Sequence, residues 1–395
     1  MNARTRLDLT DPATFVRNDP HAFWQDVRRS EPVYWHDGDP GFWVVARHAD
    51  VLACYTDART LSSARGTVLD VLLNGGDSAG GKMLAVTDRP RHRDLRNLVQ
   101  RAFSPRVLGV VEHNVRQRTE RLVCDVVEMG RFDFAAEVAE HIPMNTICDL
   151  LSVPEQDRAQ VLAWNKLALS TEDVDADPLD SLEARNEIVG YFMDLGRHRR
   201  DNPGDDVVSM IATTPAGDGL LTLEEVALNC YSLILGGDES SRVSAICAVK
   251  ALAQNQDQWR AWRDGSVDPQ PAVEEVLRWA TPAMHFARTA IADTTIGGHR
   301  VRAGDIVTMW NISANDDEDV FTEPRRFDLS RWPNRQVSLG HGQHFCAGAF
   351  LGRMELRVLL GALAKSVTDI QLTGTPTPIY SNFLQGHSTL PVAFA

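Results

Sequence analysis

No stretch of about eighteen apolar residues occurs anywhere in the 395 positions of this chain, so no helical membrane span is expected. The first ten residues, MNARTRLDLT, are polar and lack the apolar core of a signal peptide, so export is not expected either. Cysteine is sparse and scattered: Cys54, Cys124, Cys148, Cys230, Cys247 and Cys346 show no CxxC pairing. That excludes a disulfide scaffold and points to a reduced, cytoplasmic setting. Positive charge is in deficit, with 40 Lys and Arg against 54 Asp and Glu and a net charge of −14. Such a chain is a poor non-specific ligand for nucleic acid, which needs cations to neutralise phosphate. Gly/Ser or Pro-rich linkers, internal repeats and low-complexity tracts are also missing, so one domain over 1–395 is expected.

What is present is ordinary globular composition, 43% hydrophobic and 24% charged. Two β-rich runs around a Gly/Asp/Pro turn in Pro32–Ala46 predict a hairpin. Residues 61–87, with Gly66, Gly75, Gly76, Gly80 and Gly81 and little periodicity, read as a flexible loop. From 90 to 260 the pattern is helical. Thr222 followed by Glu224 and Glu225 starts a helix, which runs on as one long apolar segment to Leu252, with Gly236 and Gly237 at its centre. Residues 285–310 turn β-like, and the last forty hold a helix after Cys346 and then β runs. Arg89, Arg91, Arg93, Arg96, Arg101 and Arg106 form a local basic patch suited to an acidic protein partner.

The densest chemistry lies in Ser338-Leu339-Gly340-His341-Gly342-Gln343-His344-Phe345-Cys346-Ala347-Gly348. Glycines that tolerate positive φ let a backbone wrap tightly round one sulfur. Backbone N–H groups can then stabilise that sulfur as a thiolate and tune a bound metal. A lone thiolate binds haem iron from one side and favours O–O cleavage on the other. The run resembles the haem-binding loop of the cytochrome P-450 family, Phe-Gly-x-Gly-x-His-x-Cys-x-Gly, with Leu339 where the family usually has Phe.

Three further segments match that family in order. Gly236-Gly237-Asp238-Glu239-Ser240-Ser241 is similar to its oxygen-activation motif, with Ser240 for the usual Thr. A Gly pair inside a helix costs about 1 kcal/mol per Gly relative to Ala, which suits close approach of a flat ligand. An adjacent acid and hydroxyl suit proton relay. Glu275 and Arg278, followed by Pro324-Arg-Arg-Phe327-Asp-Leu-Ser-Arg331, resemble its buried ion-pair network, a scaffold rather than a catalyst. Asp88-Arg-Pro90-Arg-His92-Arg-Asp-Leu-Arg96 resembles its propionate-binding helix start, with His92 and Arg96 on one helical face.

The resemblance implies a mainly α protein with a small β lobe, a triangular helical body around a buried haem. The β-rich parts would be about 30–60, 285–310 and 370–395, and the helical body about 90–280 and 346–365. It implies a soluble bacterial haem-thiolate monooxygenase holding haem b and using dioxygen, with NAD(P)H acting indirectly. Cys346 would be the axial iron ligand, and Glu239 and Ser240 would assist proton delivery. Haem contacts would come from His92, Arg96, Gly236, Gly237, Arg288, Leu339, Gly340, His344 and Gly348. Met83, Leu84, Leu233, Gly237, Met284, His285, Phe286 and Phe383 would border a small, largely apolar substrate, and the helices around 160–195 would help choose it. The expected reaction is hydroxylation or epoxidation in specialised-metabolite biosynthesis, with electrons from ferredoxin and ferredoxin reductase. Arg91, Arg93, Arg101, Arg353 and Arg357 would form the docking face. Two alternatives stay open: oxidative coupling, ring formation or C–C cleavage, with a substrate tethered to an acyl or peptidyl carrier protein; or a haem-thiolate sensor without turnover.

Overall fold

The computed structural model describes residues 7–17, 19–168 and 178–395. The first six residues of the polar N-terminus, and 169–177 within the substrate-choosing stretch, lie outside the described residues.

The predicted hairpin is present as β1 (Val33–His36) and β2 (Phe42–Val45), paired antiparallel from Val33↔Val45 to His36↔Phe42. It joins a five-stranded sheet of order β1-β2-β8-β5-β3. In that sheet β3 is Leu61–Ser62, β5 is His285–Ala290 and β8 is Ile306–Trp310. β2 and β8 run parallel, whereas β5 is antiparallel to both β8 and β3. Residues 370–395 do not extend this sheet. Their strands β9 (Ile370–Leu372) and β10 (Pro391–Phe394) pair with β4 (Arg131–Asp133) in a sheet of order β4-β10-β9. β6 (Thr294–Ile296) and β7 (His299–Val301) form a separate hairpin.

The segment 61–87 is irregular over most of its length, as its composition predicts, but it is not featureless. It holds β3, a helix at Leu69–Leu73 and a 3₁₀ turn at Leu84–Val86, and buries Leu69, Leu72, Met83, Leu84 and Val86. Asn229 fixes it from a helix beyond, accepting the Leu84 N–H at 3.0 Å and donating to the Lys82 carbonyl at 2.9 Å. The glycines supply its turns, and contacts far along the chain hold it in place.

The helical body contains α1 (Arg91–Ala102), α2 (Pro105–Met129), α3 (His141–Leu150), α4 (Glu155–Ala168), α5 (Pro178–Asp201), α6 (Leu223–Gly237), α7 (Glu239–Gln254), α8 (Pro269–Ala280) and α9 (Ala349–Ser366). One large apolar core unites them, with Phe134, Phe192, Ile234, Ile246 and Leu360 fully enclosed. α6 begins as the sequence predicts. Thr222 Oγ1 accepts the Glu225 N–H at 3.1 Å, and Glu225 Oε2 accepts the Thr222 N–H at 2.8 Å, a reciprocal capping box.

The expected single long helix is instead two. The break falls at Asp238, where φ is −82° and ψ −79°, one residue past the glycine pair. The ladder still crosses it through Asp238 N–H to the Ile234 carbonyl (3.1 Å) and Arg242 N–H to the Asp238 carbonyl (3.0 Å). The Gly236 carbonyl accepts the Ser240 hydroxyl at 3.0 Å.

Behind the helices, Glu275 sits with no solvent exposure. Its two oxygens accept Arg278 Nε (2.7 Å) and Nη2 (2.8 Å), Arg331 Nε (3.1 Å), Asn334 Nδ2 (3.0 Å) and the Asp328 N–H (3.0 Å). One carboxylate thus ties α8 to the 326–334 segment that leads into the cysteine loop.

Candidate active site

The cysteine loop is shaped by its glycines. Gly342 has φ +70°, and a Cβ there would stand 2.6 Å from the Tyr55 carbonyl, so only glycine fits. Gly340, at φ +67°, makes the other left-handed turn. The Cys346 N–H donates to the Leu339 carbonyl at 2.9 Å, closing the loop on itself. The Gly348 N–H then points at the Cys346 sulfur. Burial pushes the Cys346 thiol above its ordinary range, while that N–H and the charges of Arg96 and Arg353 pull it back down. Leu339 packs against the main core.

Three donors gather beside this loop from elements far apart in sequence. His92 on α1 is 3% exposed and its Nε2 has no hydrogen-bond partner. Burial and the nearby Arg96 charge push it down to about 4, so it is neutral at physiological pH. Arg96, one turn on, donates Nη1 to the Phe345 carbonyl at 2.7 Å and so touches the loop next to Cys346. Arg288 on β5 is 5% exposed. Its Nη1 donates to the Ala287 carbonyl at 2.8 Å, and no carboxylate of the described residues comes within ion-pair distance of it. A buried guanidinium without a counter-anion is costly. Such a set of donors suits a ligand that brings its own carboxylates.

His344 belongs to the same cluster, with its ring centroid 4.2 Å from that of His92. Its Nε2, however, lies 3.1 Å from Ser63 Oγ, so that nitrogen is already engaged by the 61–87 segment. Burial and the Arg288 charge push His344 far below the usual imidazole range. Sequence reading missed the support beneath it. Asp88 accepts the Ser62 hydroxyl and the Ser63 N–H (3.0 Å), and Tyr55 lies under Arg288 while donating to Asn311 Oδ1 at 2.7 Å. Nothing local in the sequence marks Ser62, Ser63 or Tyr55, whose partner Asn311 lies 256 positions away; Asp88 heads the 88–96 motif, but its hold on the 61–87 segment is visible only in the structure.

At the helix break, Gly236 faces open space, with nothing within 4 Å of where a Cβ would stand. Gly237 is the opposite case. A Cβ there would lie 2.4 Å from Ile147 Cδ1 of α3 and 3.0 Å from its Cγ1. Gly237→Ala is therefore expected to destabilise the protein by about 1–3 kcal/mol through overpacking. Gly236→Ala should leave thermal stability unchanged or slightly raised, since Ala is the better helix former, yet lower the haem-to-protein ratio. Melting curves and pigment content of the two variants check this; a Gly236→Ala protein with full haem content would remove the close-approach role.

Glu239 pairs with Arg242, Oε2 to Nη2 at 2.8 Å. Its neighbour Asp238, given no site role by the sequence reading, is the buried acid, 6% exposed. A second enclosed acid, Glu355 on α9, is pushed up to about 7 by burial, against hydrogen bonds from Ser241 and Thr146.

The expected pocket residues divide. Met83 packs with Ala79, Val86 and Leu228, Leu84 lies in the main core, and Leu233 on α6 is half-buried. Phe286 and Phe383 are half-buried and meet edge to face at 5.8 Å. Met284 and His285 have no exposed surface at all. Met284 sits in the aromatic core with Trp24, Phe42 and Trp310. His285 lies against Trp310 (4.5 Å) and Phe383 (5.5 Å), with neither ring nitrogen partnered, and burial pushes it down to about 3. The proposed docking arginines divide as well. Arg91 pairs with Glu225 (2.6 Å) and Arg353 with Glu274 (2.5 Å), while Arg93 and Arg101 point outward.

Comparison with known proteins agrees with this geometry. Over 391 residues the chain is 41% identical to cytochrome P-450 NovI of Streptomyces niveus, covering 98% of this chain and 96% of that one. The chain belongs to the cytochrome P-450 family. The family model "Cytochrome P450" matches residues 270–368, which span the Glu275 network and the cysteine loop. A steroid C26-monooxygenase of Rhodococcus jostii is 31% identical over 393 residues, with 96% of this chain and 83% of that one covered. Among solved structures, the P-450 OxyD, involved in the biosynthesis of vancomycin-type antibiotics, superposes with a TM-score of 0.89 at 34% identity, covering 99% and 100% of the two chains. This P-450 is therefore a monooxygenase of the bacterial type that uses haem and dioxygen. No helix among its described residues is long and apolar enough to cross a membrane.

Proposed function

We propose that this P-450 hydroxylates or epoxidises a small, largely apolar organic molecule in the biosynthesis of a specialised metabolite. Its haem is haem b, and its electrons come from a ferredoxin and ferredoxin reductase fed by NAD(P)H. The carrying observation is the juxtaposition at the cysteine loop. A sulfur under a directed N–H stands beside His92, Arg96 and Arg288, three buried or half-buried donors that lack a protein carboxylate. That set would hold a flat iron macrocycle carrying two propionates, with the Cys346 thiolate as the ligand to its iron. When bound, haem supplies the activation of dioxygen.

The chain's own residues do the rest. His92 and Arg96 from α1 and Arg288 from β5 hold the acidic edge. Gly236 lets that side of α6 be approached closely. The Ser240 hydroxyl, hydrogen-bonded to the Gly236 carbonyl, and Glu239 border the reacting face, where they hold and pass protons. The metabolic setting is supported by likeness to NovI and OxyD along nearly the whole chain.

The reading is tested by spectral titration with apolar and aromatic intermediates, both in solution and tethered to a carrier protein, followed by turnover with ferredoxin, reductase and NAD(P)H under labelled dioxygen. One labelled oxygen atom in the product is expected. Turnover that yields only coupled or ring-closed products without the label would overturn hydroxylation in favour of oxidative coupling.

A further inference from the structure

Asp238 is the single residue between α6 and α7. It is 6% exposed, and it accepts a close hydrogen bond from Asn165 Nδ2 of α4, itself 1% exposed. Asn165 also donates to the Met144 sulfur of α3 at 3.5 Å, so the amide sits where three helices meet. No cation of the described residues lies within ion-pair distance of Asp238; Arg242, the nearby cation on α7, turns to Glu239 instead. The other ionisable groups around it are Glu239 on α7, Glu140 just before α3, Cys148 on α3 and Glu355 on α9. The Cys148 thiol is itself raised to about 11 and stays neutral. An ionised carboxylate here would be buried among acids.

We propose that Asp238 is a positioning residue that works as a neutral, protonated acid. Hydrogen-bonded to Asn165, it pins the helix break to α4 and so sets where the Gly236 carbonyl and the Ser240 hydroxyl stand. The consequence for activity rests on the reading above that these groups border the reacting face; the protonation of Asp238 does not. Burial, with Glu239 beside it, pushes Asp238 up to about 8, far above the ordinary carboxylate range. Because the folded value is the raised one, the unfolded chain releases this proton first. Stability is therefore lost progressively from the ordinary carboxylate range up to about pH 8, and no further above it.

The experiment compares purified wild-type holoenzyme with Asp238→Asn, Asp238→Leu and Glu355→Gln, the last because Glu355 is the other enclosed acid. Infrared difference spectra between about pH 6.5 and about pH 9.5 should show the carbonyl band of a protonated carboxyl disappearing as pH rises. The Asp238 band is expected to be missing in Asp238→Asn and kept in Glu355→Gln. Asp238→Asn, neutral at every pH, should also gain in melting temperature over wild type as pH rises toward 8, with a flattened alkaline limb of kcat. Asp238→Leu, which loses the hydrogen bond, should lose about three- to tenfold in kcat at all pH values. A wild-type spectrum without a protonated-carboxyl band, or one unchanged in Asp238→Asn, overturns the protonated state. An Asp238→Leu enzyme with wild-type kcat at every pH overturns the positioning role, and an Asp238→Asn pH profile identical to wild type overturns the part that the neutral state plays in it. Loss of the infrared band with normal thiolate spectra isolates this proposal from the haem reading.

Discussion

Cys346→Ala abolishes the strongly red-shifted Soret band of the dithionite-reduced, carbon monoxide-bound protein, and turnover falls by more than about 10³-fold, about 4 kcal/mol of transition-state stabilisation. The reason is electronic as well as structural. Alanine removes the one atom to which the Gly348 N–H points, and with it the thiolate that would donate to a bound haem iron. The loop itself should survive, because its turns are set by Gly340 and Gly342 and its closure by the Cys346 main-chain N–H to Leu339, which alanine retains. The variant is thus expected to melt close to wild type while losing the spectrum. A wild-type protein whose reduced carbon monoxide complex shows a band of the histidine-ligated kind, unchanged in Cys346→Ala, would sink the thiolate assignment.

Glu275→Ala unfolds the haem side. Arg278, Arg331, Asn334 and the Asp328 N–H all converge on this carboxylate, and Arg278 is only 1% exposed. Removing one partner of a buried pair costs about 3–5 kcal/mol, because the remaining charge cannot return to water. Arg278 keeps its bond to the Asn315 carbonyl at 2.9 Å and a longer contact to Asp316 at 3.5 Å. Neither replaces a bidentate carboxylate. The expected outcome is poor soluble yield, a much shorter half-life on mild heating and little bound haem, with Glu275→Gln intermediate. A Glu275→Ala protein with wild-type thermal inactivation would show that the network is dispensable. Kinetic half-life is the right measure here, since unfolding of a chain this size is often irreversible.

Several pieces of this protein follow from short stretches of sequence. The capping box at Thr222 needs only residues three apart. The hairpin at 33–45 needs alternation and a turn. The cysteine loop needs glycines where a side chain would strike the backbone, as Gly342 shows against Tyr55. Each is governed by local sterics or by hydrogen bonds between near neighbours, so the information lies in adjacent letters. The motif spacing around Cys346, Glu275 and His92 was legible for the same reason.

Other features exist only once distant segments pack. The 61–87 stretch is ordered because Asn229 reaches it from α6. His344 is engaged by Ser63, and Asp238 rather than Glu239 is the enclosed acid because α4 and its Asn165 cover one residue and not the other. Arg91 and Arg353 carry the same formal charge as Arg93 and Arg101, yet they are tied to Glu225 and Glu274, whereas Arg93 and Arg101 stand exposed. Adjacent residues were enough to carry the family resemblance, the turns of the cysteine loop and the capping box. Tertiary structure alone decided which polar groups are buried, paired or left without a partner, because desolvation depends on what every other segment brings to the same place.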